Sequence, residues 1–108
     1  MKTQTFDEIT ADRVVDLIHT ALEFGSEYWI DSTSGESVIA VVDGSGTLEI
    51  RDLDGDQYLL DHQAILDGLA RIKESFPQDW KDIKNEDDDA GTADIFLQLS
   101  LIGEVIYG

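Results

Sequence analysis

The chain contains no cysteine, one proline, one methionine and only seven lysines and arginines in 108 residues. Without cysteine there is no disulfide, no thiol nucleophile and no cysteine-ligated metal, and a reducing, intracellular compartment fits. Long apolar runs are also missing. The greasiest segment, residues 95–106, is too short to span a bilayer and carries Ser100 and Glu104. Residues 1–5 offer no apolar leader, so no secretory signal is expected. The expectation is a soluble protein of one domain, residues 1–108. An apolar fraction of 42% is ordinary for a globular chain and too high for a disordered one.

What is abundant is negative charge. Twenty-four acids against seven bases give a net charge of −17. Such a balance speaks to solubility and partners rather than to fold. It disfavours direct binding of nucleic acid or of an anionic membrane. It favours basic surfaces, of which nucleic-acid-binding proteins carry the largest. Aspartates outnumber glutamates sixteen to eight and lysine is scarce, a bias that a salt-tolerant, merely well-solvated surface also explains.

Local patterns predict an α+β fold: an antiparallel three- to four-stranded meander packed against an N-terminal helix and two C-terminal helices. Thr10 is placed to cap a first helix that runs to residue 24, with Val14, Leu17, Ile18, Ala21 and Leu22 on one face and Gly25 at its end. Tyr28, Trp29 and Ile30 read as a short strand, and residues 32–35 as a turn. The β-branched run at residues 37–43 reads as a central strand. A hairpin at Gly44-Ser45 then sets Val41 opposite Leu48 and Ile39 opposite Ile50. A second turn at Asp54-Gly55 sets Leu59 opposite Ile50. Asp61 caps a helix from residue 62 to about 75 with Ile65, Leu69, Ile72 and Phe76 buried, and Pro77 interrupts it. Residues 78–84 read as a short helical turn with Trp80 and Ile83 facing the core. A last helix, from after Thr92 to residue 106, is apolar all round and should be buried on more than one side, which leaves homodimerisation open.

No catalytic set emerges. Asp52-Leu53-Asp54-Gly55-Asp56 superficially matches a calcium loop, but the glycine comes one position early and the distal glutamate is missing. His19 and His62 are far apart and form no zinc motif. Gly44-Ser45-Gly46 lacks the nucleophile-elbow pattern, and no lysine follows it to make a phosphate cradle. The expectation is a protein that is not an enzyme and needs no cofactor or metal. Tyr28, Trp29 and Trp80 are expected to pack in the core, with an aromatic anchor for a partner as the alternative.

The acids are unevenly distributed. Residues 28–61 hold Asp31, Glu36, Asp43, Glu49, Asp52, Asp54, Asp56 and Asp61 against Arg51 alone, while Arg71, Lys73, Lys81 and Lys84 lie together further on. A second acidic cluster is Glu86, Asp87, Asp88 and Asp89. Strand-borne acids repeat at spacings of several ångströms, the scale of phosphates along nucleic acid. The predicted partner-binding residues are Asp31, Glu36, Asp43, Glu49, Asp52, Asp54, Asp56, Glu86, Asp87, Asp88 and Asp89.

The ending Ala93-Asp94-Ile95-Phe96-Leu97-Gln98-Leu99 with Gly103-Glu104-Val105-Ile106-Tyr107-Gly108, together with Tyr28-Trp29 after a first amphipathic helix, resembles small acidic proteins of tailed phages, prophages and plasmids. Those proteins often carry an extra glycine before the Tyr-Trp pair, where this chain has Ser26-Glu27. The resemblance covers about a third of the chain and implies a mobile-element setting, hence the host-cell cytoplasm, more than an activity. By class it suggests an inhibitor of host defence, of anti-CRISPR or anti-restriction type. Such an inhibitor would act as an acidic DNA mimic on a host protein's basic nucleic-acid-binding surface. The alternative is a phage accessory or assembly protein whose acidity serves only solubility.

Overall fold

The computed structural model describes residues 5, 6 and 8–108; the leader reading of residues 1–4 lies outside them. Strands β1 (Thr5–Phe6) and β2 (Ile9–Thr10) form a small antiparallel ribbon. Thr10 then caps α1 (Ala11–Thr20) by accepting from the Arg13 amide at 3.3 Å, and α1 continues into a π turn over Ala21–Gly25. Val14, Leu17, Ile18 and Ala21 are fully buried, as their spacing predicts.

The sheet is antiparallel and sequential, β3 (Ile30–Gly35), β4 (Leu48–Asp52) and β5 (Gln57–Leu60). The α+β meander is therefore present, but its first strand is not the one expected. Residues 32–35 belong to β3, an edge strand, with Thr33 opposite Ile50 and Gly35 opposite Leu48. Of Tyr28, Trp29 and Ile30, expected as the first strand, only Ile30 belongs to β3, and the apolar run of residues 37–43, expected as a central strand, forms instead the short helix α2 (Val38–Asp43). Ser37 caps it by accepting from the Ala40 amide at 3.2 Å, and Gly44, at φ 87°, closes it in the left-handed conformation that glycine favours. Val38, Val41 and Val42 face the core at helical spacing while Ile39 faces out. Caps at both ends and tertiary packing outweigh the strand preference of β-branched residues.

The hairpin turn at Asp54-Gly55 is present, in a register one residue from that expected. Tyr58, not Leu59, lies opposite Ile50, and Leu60 opposite Leu48. Leu48, Ile50, Asp52 and Leu60 point inward, and Leu59 is exposed.

Asp61 caps α3 (His62–Ser75), accepting from the Ala64 amide at 2.8 Å. Pro77 occupies the first turn of α4 (Pro77–Lys84), where its missing amide is no loss, and Trp80 and Ile83 are buried. The last helix, α5 (Ala90–Leu101), starts earlier and ends sooner than expected, capped by Asp89. Helices α3 and α1, the π turn and the sheet pack around it. Its approach to α3 is close enough to require glycine: a Cβ at Gly68 would sit 1.9 Å from Ser100 Oγ. Val105 and Ile106 lie beyond the helix and are exposed.

Candidate partner-binding surface

The candidate surface is built on the sheet and its turns. Alternation along β4 turns Glu49 and Arg51 outward while Leu48 and Ile50 enter the core. The register lines up Ser34, Glu49 and Leu59 across the outer face, and Ser32, Arg51 and Gln57 beside them. Asp31 sits where the pairing of β3 with β4 shifts, between Ile30 and Ser32. Glu36 follows β3, and Asp54 and Asp56 occupy the β4–β5 turn. These five acids, Asp31, Glu36, Glu49, Asp54 and Asp56, are exposed. Among the described residues, none of them forms an ion pair or a side-chain hydrogen bond.

Four other predicted contact residues have work inside the fold. Asp43 is exposed, but its carboxylate accepts from the Ser45 hydroxyl and from the Ser45 amide at 2.8 Å, and these bonds hold its pKa below the usual carboxylate value. Asp88 is paired with Arg13. Asp89 caps α5, and the Thr92 amide it receives at 2.9 Å lowers its pKa. Asp52 departs furthest from expectation: it is buried, 1% exposed. One carboxylate oxygen accepts the Asp54 and Asp56 amides, both at 2.9 Å, and the other accepts the hydroxyls of Tyr107 at 2.8 Å and Tyr58 at 3.1 Å. Burial pushes its pKa up, but the hydrogen bonds, that from Tyr107 foremost, more than offset this and leave it lowered. Asp52 is thus a latch between the β4–β5 turn and the segment after α5, not a surface charge.

Among the described residues no bond joins the second acidic cluster to the first: the hydrogen bonds of residues 86–89 run to α1, α4 and α5. Glu86 and Asp87 remain exposed. Apart from Arg51, exposed on β4, the bases among the described residues lie on the helical side. Arg13 meets Asp88 and the Ile83 carbonyl, Arg71 donates to the Leu99 carbonyl at 2.8 Å, and Lys73 and Lys84 share Glu8 at 3.7 Å each. Both lysines also lie about 6 Å over the ring of Trp80, at 6.0 and 5.8 Å.

One constellation has no counterpart in the sequence reading. Asp94, on α5 and 8% exposed, accepts from Ser26 Oγ and Tyr28 Oη at 2.7 Å each, Trp29 Nε1 at 2.8 Å and Gln98 Nε2 at 3.1 Å. Gln98 in turn receives the amides of Ile106 and Tyr107 at 2.9 Å. Tyr107 stacks on Trp29 with ring centroids 4.8 Å apart and 5° between planes. With its lone pairs engaged by donors, Asp94 organises structure rather than chemistry. The signal for it is an Asp and a Gln four apart among the mostly apolar residues of α5. Trp29 and Trp80 are buried, so of the aromatics considered as anchors only Tyr28 is substantially exposed.

Among the described residues, no group of three or more His, Asp or Glu side chains is arranged to hold a metal ion, and no helix is long and apolar enough to cross a membrane. No family model, curated protein or solved structure matches the chain.

Proposed function

We propose that this protein acts by binding, with the sheet-side acids engaging a basic, nucleic-acid-binding surface of a partner protein. The observation that carries this reading is the separation of charge roles. Asp31, Glu36, Glu49, Asp54 and Asp56 are exposed and unpaired among the described residues, while Arg13, Lys73 and Lys84 are engaged with acids of the helical side. On the strands of the sheet the outward acids have Arg51 as their one basic neighbour, a segregation of sign that a surface charged only for solvation does not need. Taken with the resemblance to small phage proteins, the reading is of an acidic DNA mimic, an inhibitor of a host defence system in the host cytoplasm, of anti-CRISPR or anti-restriction type, with no catalytic role and no cofactor.

The test is competition against a partner recovered from host lysate, at two salt concentrations. Mimicry requires that a DNA oligonucleotide displace the protein and that added salt weaken the complex. It also requires that Asp54→Lys with Asp56→Lys weaken binding far more than Glu23→Lys with Glu104→Lys. Binding indifferent to both DNA and salt would reject mimicry. Recovery of virion components alone would favour an accessory or assembly protein whose acidity serves solubility.

A further inference from the structure

Helices α1 and α2 leave between them a groove of about 370 Å³ lined by no residue of the sheet. Its floor is apolar, made by Ala11, Val15, Val42 and the flank of Ile39. Ile39 is 62% exposed although it belongs to a helix whose other large residues are buried. The rim is acidic, with Asp12 and Asp16 one turn apart on α1 and Asp43 facing them at the end of α2. Like charges four residues apart on a helix repel. The nearest relief in the fold is weak: Arg13 lies 4.0 Å from Asp16, while its guanidinium is committed to Asp88 and the Ile83 carbonyl.

We infer that this groove docks a cationic amphipathic helix of a protein partner. An apolar side chain of that helix rests on Ile39 and Val15. Lysines or arginines three or four residues to either side meet Asp12, Asp16 and Asp43. The charge decides the class of occupant. A second copy of this chain would bring another −17 to a negative rim, and an anionic ligand is repelled for the same reason. A bare metal ion gains nothing from the apolar floor. A cationic amphipathic helix satisfies both halves of the groove, as helix-in-groove recognition does elsewhere. Six residues of α2 at about 1.5 Å per residue set the engaged length at roughly two turns of the partner. The inference is independent of the sheet-side reading, because only Asp43 was among the acids considered there.

The probe is a synthetic helix-forming peptide of leucine and lysine with its leucines on one face. The control has the same composition, ordered so that the leucines share no face. Both are titrated at about 0.15 M salt, where surface charge is screened beyond about 8 Å. Calorimetry gives the affinities and backbone amide NMR the location. The expected result is at least tenfold tighter binding of the amphipathic peptide, with shifts confined to α1 and α2. Ile39→Ser should abolish the difference between peptides, and Asp16→Asn should weaken both. Equal affinities, a difference that survives Ile39→Ser, or shifts on the sheet would overturn the inference. So would a groove closed by self-association, read as a dimer by sedimentation. Failure here leaves the DNA-competition result untouched, and the reverse also holds.

Discussion

Replacing Asp94 with alanine removes the acceptor on which four donors converge, and burial sizes the loss. Ser26 and Gln98 are 0% exposed and Trp29 is 2% exposed, whereas Tyr28 is 47% exposed and its hydroxyl can turn to water. A buried donor left unsatisfied costs about 1–3 kcal/mol, so the three inaccessible donors set a range of about 3–9 kcal/mol. Costs at one shared acceptor do not simply add, and the Ser26 hydroxyl can rotate, which places the expectation at about 3–5 kcal/mol. That is a large part of the total stability of about 5–15 kcal/mol typical of such a domain. At about 4–8 °C per kcal/mol for a domain of this size, the melting temperature should fall by at least about 12 °C. Asp94→Asn keeps one acceptor oxygen and should lose less. Tyr28→Phe, which deletes only the solvent-accessible donor, should cost about 1 kcal/mol. Circular-dichroism melts and urea unfolding measure all three. An Asp94→Ala protein within about 1 kcal/mol of the parent would refute the assignment of Asp94 as the organising acceptor.

Three further outcomes follow from single contacts. Gly68→Ala drives a Cβ to 1.9 Å from Ser100 Oγ and should destabilise by about 1–3 kcal/mol, as overpacking does, with Ser100→Gly recovering part of the loss in thermal melts. Tyr28, partly buried and donating to Asp94, has its pKa raised to about 12. Its stabilising contribution is therefore complete below the unfolded value of about 10 and disappears as pH rises through the folded one. Tyrosinate absorbance showing all three tyrosines titrating normally would contradict this. Because N–H and O–H donors fill both Asp52 oxygens, EDTA should leave the melting temperature unchanged, and a drop of several degrees would show that the turn holds a cation.

How much of this was legible in the sequence follows from how local each signal is. Helices α1, α3 and α4 are announced by caps and stripes within a few residues: Thr10 before Val14 and Leu17, Asp61 before Ile65 and Leu69, Pro77 before Trp80. The turn at Asp54-Gly55 is equally local. The strand preference of its valines masks helix α2, although Ser37 and Gly44 bracket it as caps. Strand β3 was invisible because residues 31–35 are all exposed on the edge of the sheet, so no apolar alternation marks it. The Asp94 cluster depends on contacts between residues more than sixty apart, which no window can display. It gathers Tyr28, Trp29, Asp94, Gln98 and Tyr107 into one connected set, which fixes the segment after α5 onto the residues that follow the π turn and onto the start of the sheet.

Asp52 and Asp54 give the sharpest test of which acids are available to a partner, because the sequence makes them equivalent and the fold does not. Asp54 projects from the turn, and Asp52, two residues away, turns inward to four donors. Asp54→Lys should change stability by no more than about 0.5 kcal/mol, as surface substitutions typically do. Asp52→Lys places a cation among N–H and O–H donors that all point toward it, and should prevent stable folding. The conservative change is more informative still. The Asp52 pKa is lowered in the fold, so its contribution is present above the unfolded carboxylate value and is lost as pH falls through the folded one. Asp52→Asn should therefore be less stable than the parent at neutral pH and should converge with it in acid, where the parent carboxylate is protonated too. Thermal melts of Asp52→Asn and the parent from neutral pH into acid read the two curves. An Asp52→Asn profile that stays parallel to the parent would mean that Asp52 is a solvated surface charge after all, returning it to the partner-facing set with Asp31, Glu36, Glu49, Asp54 and Asp56.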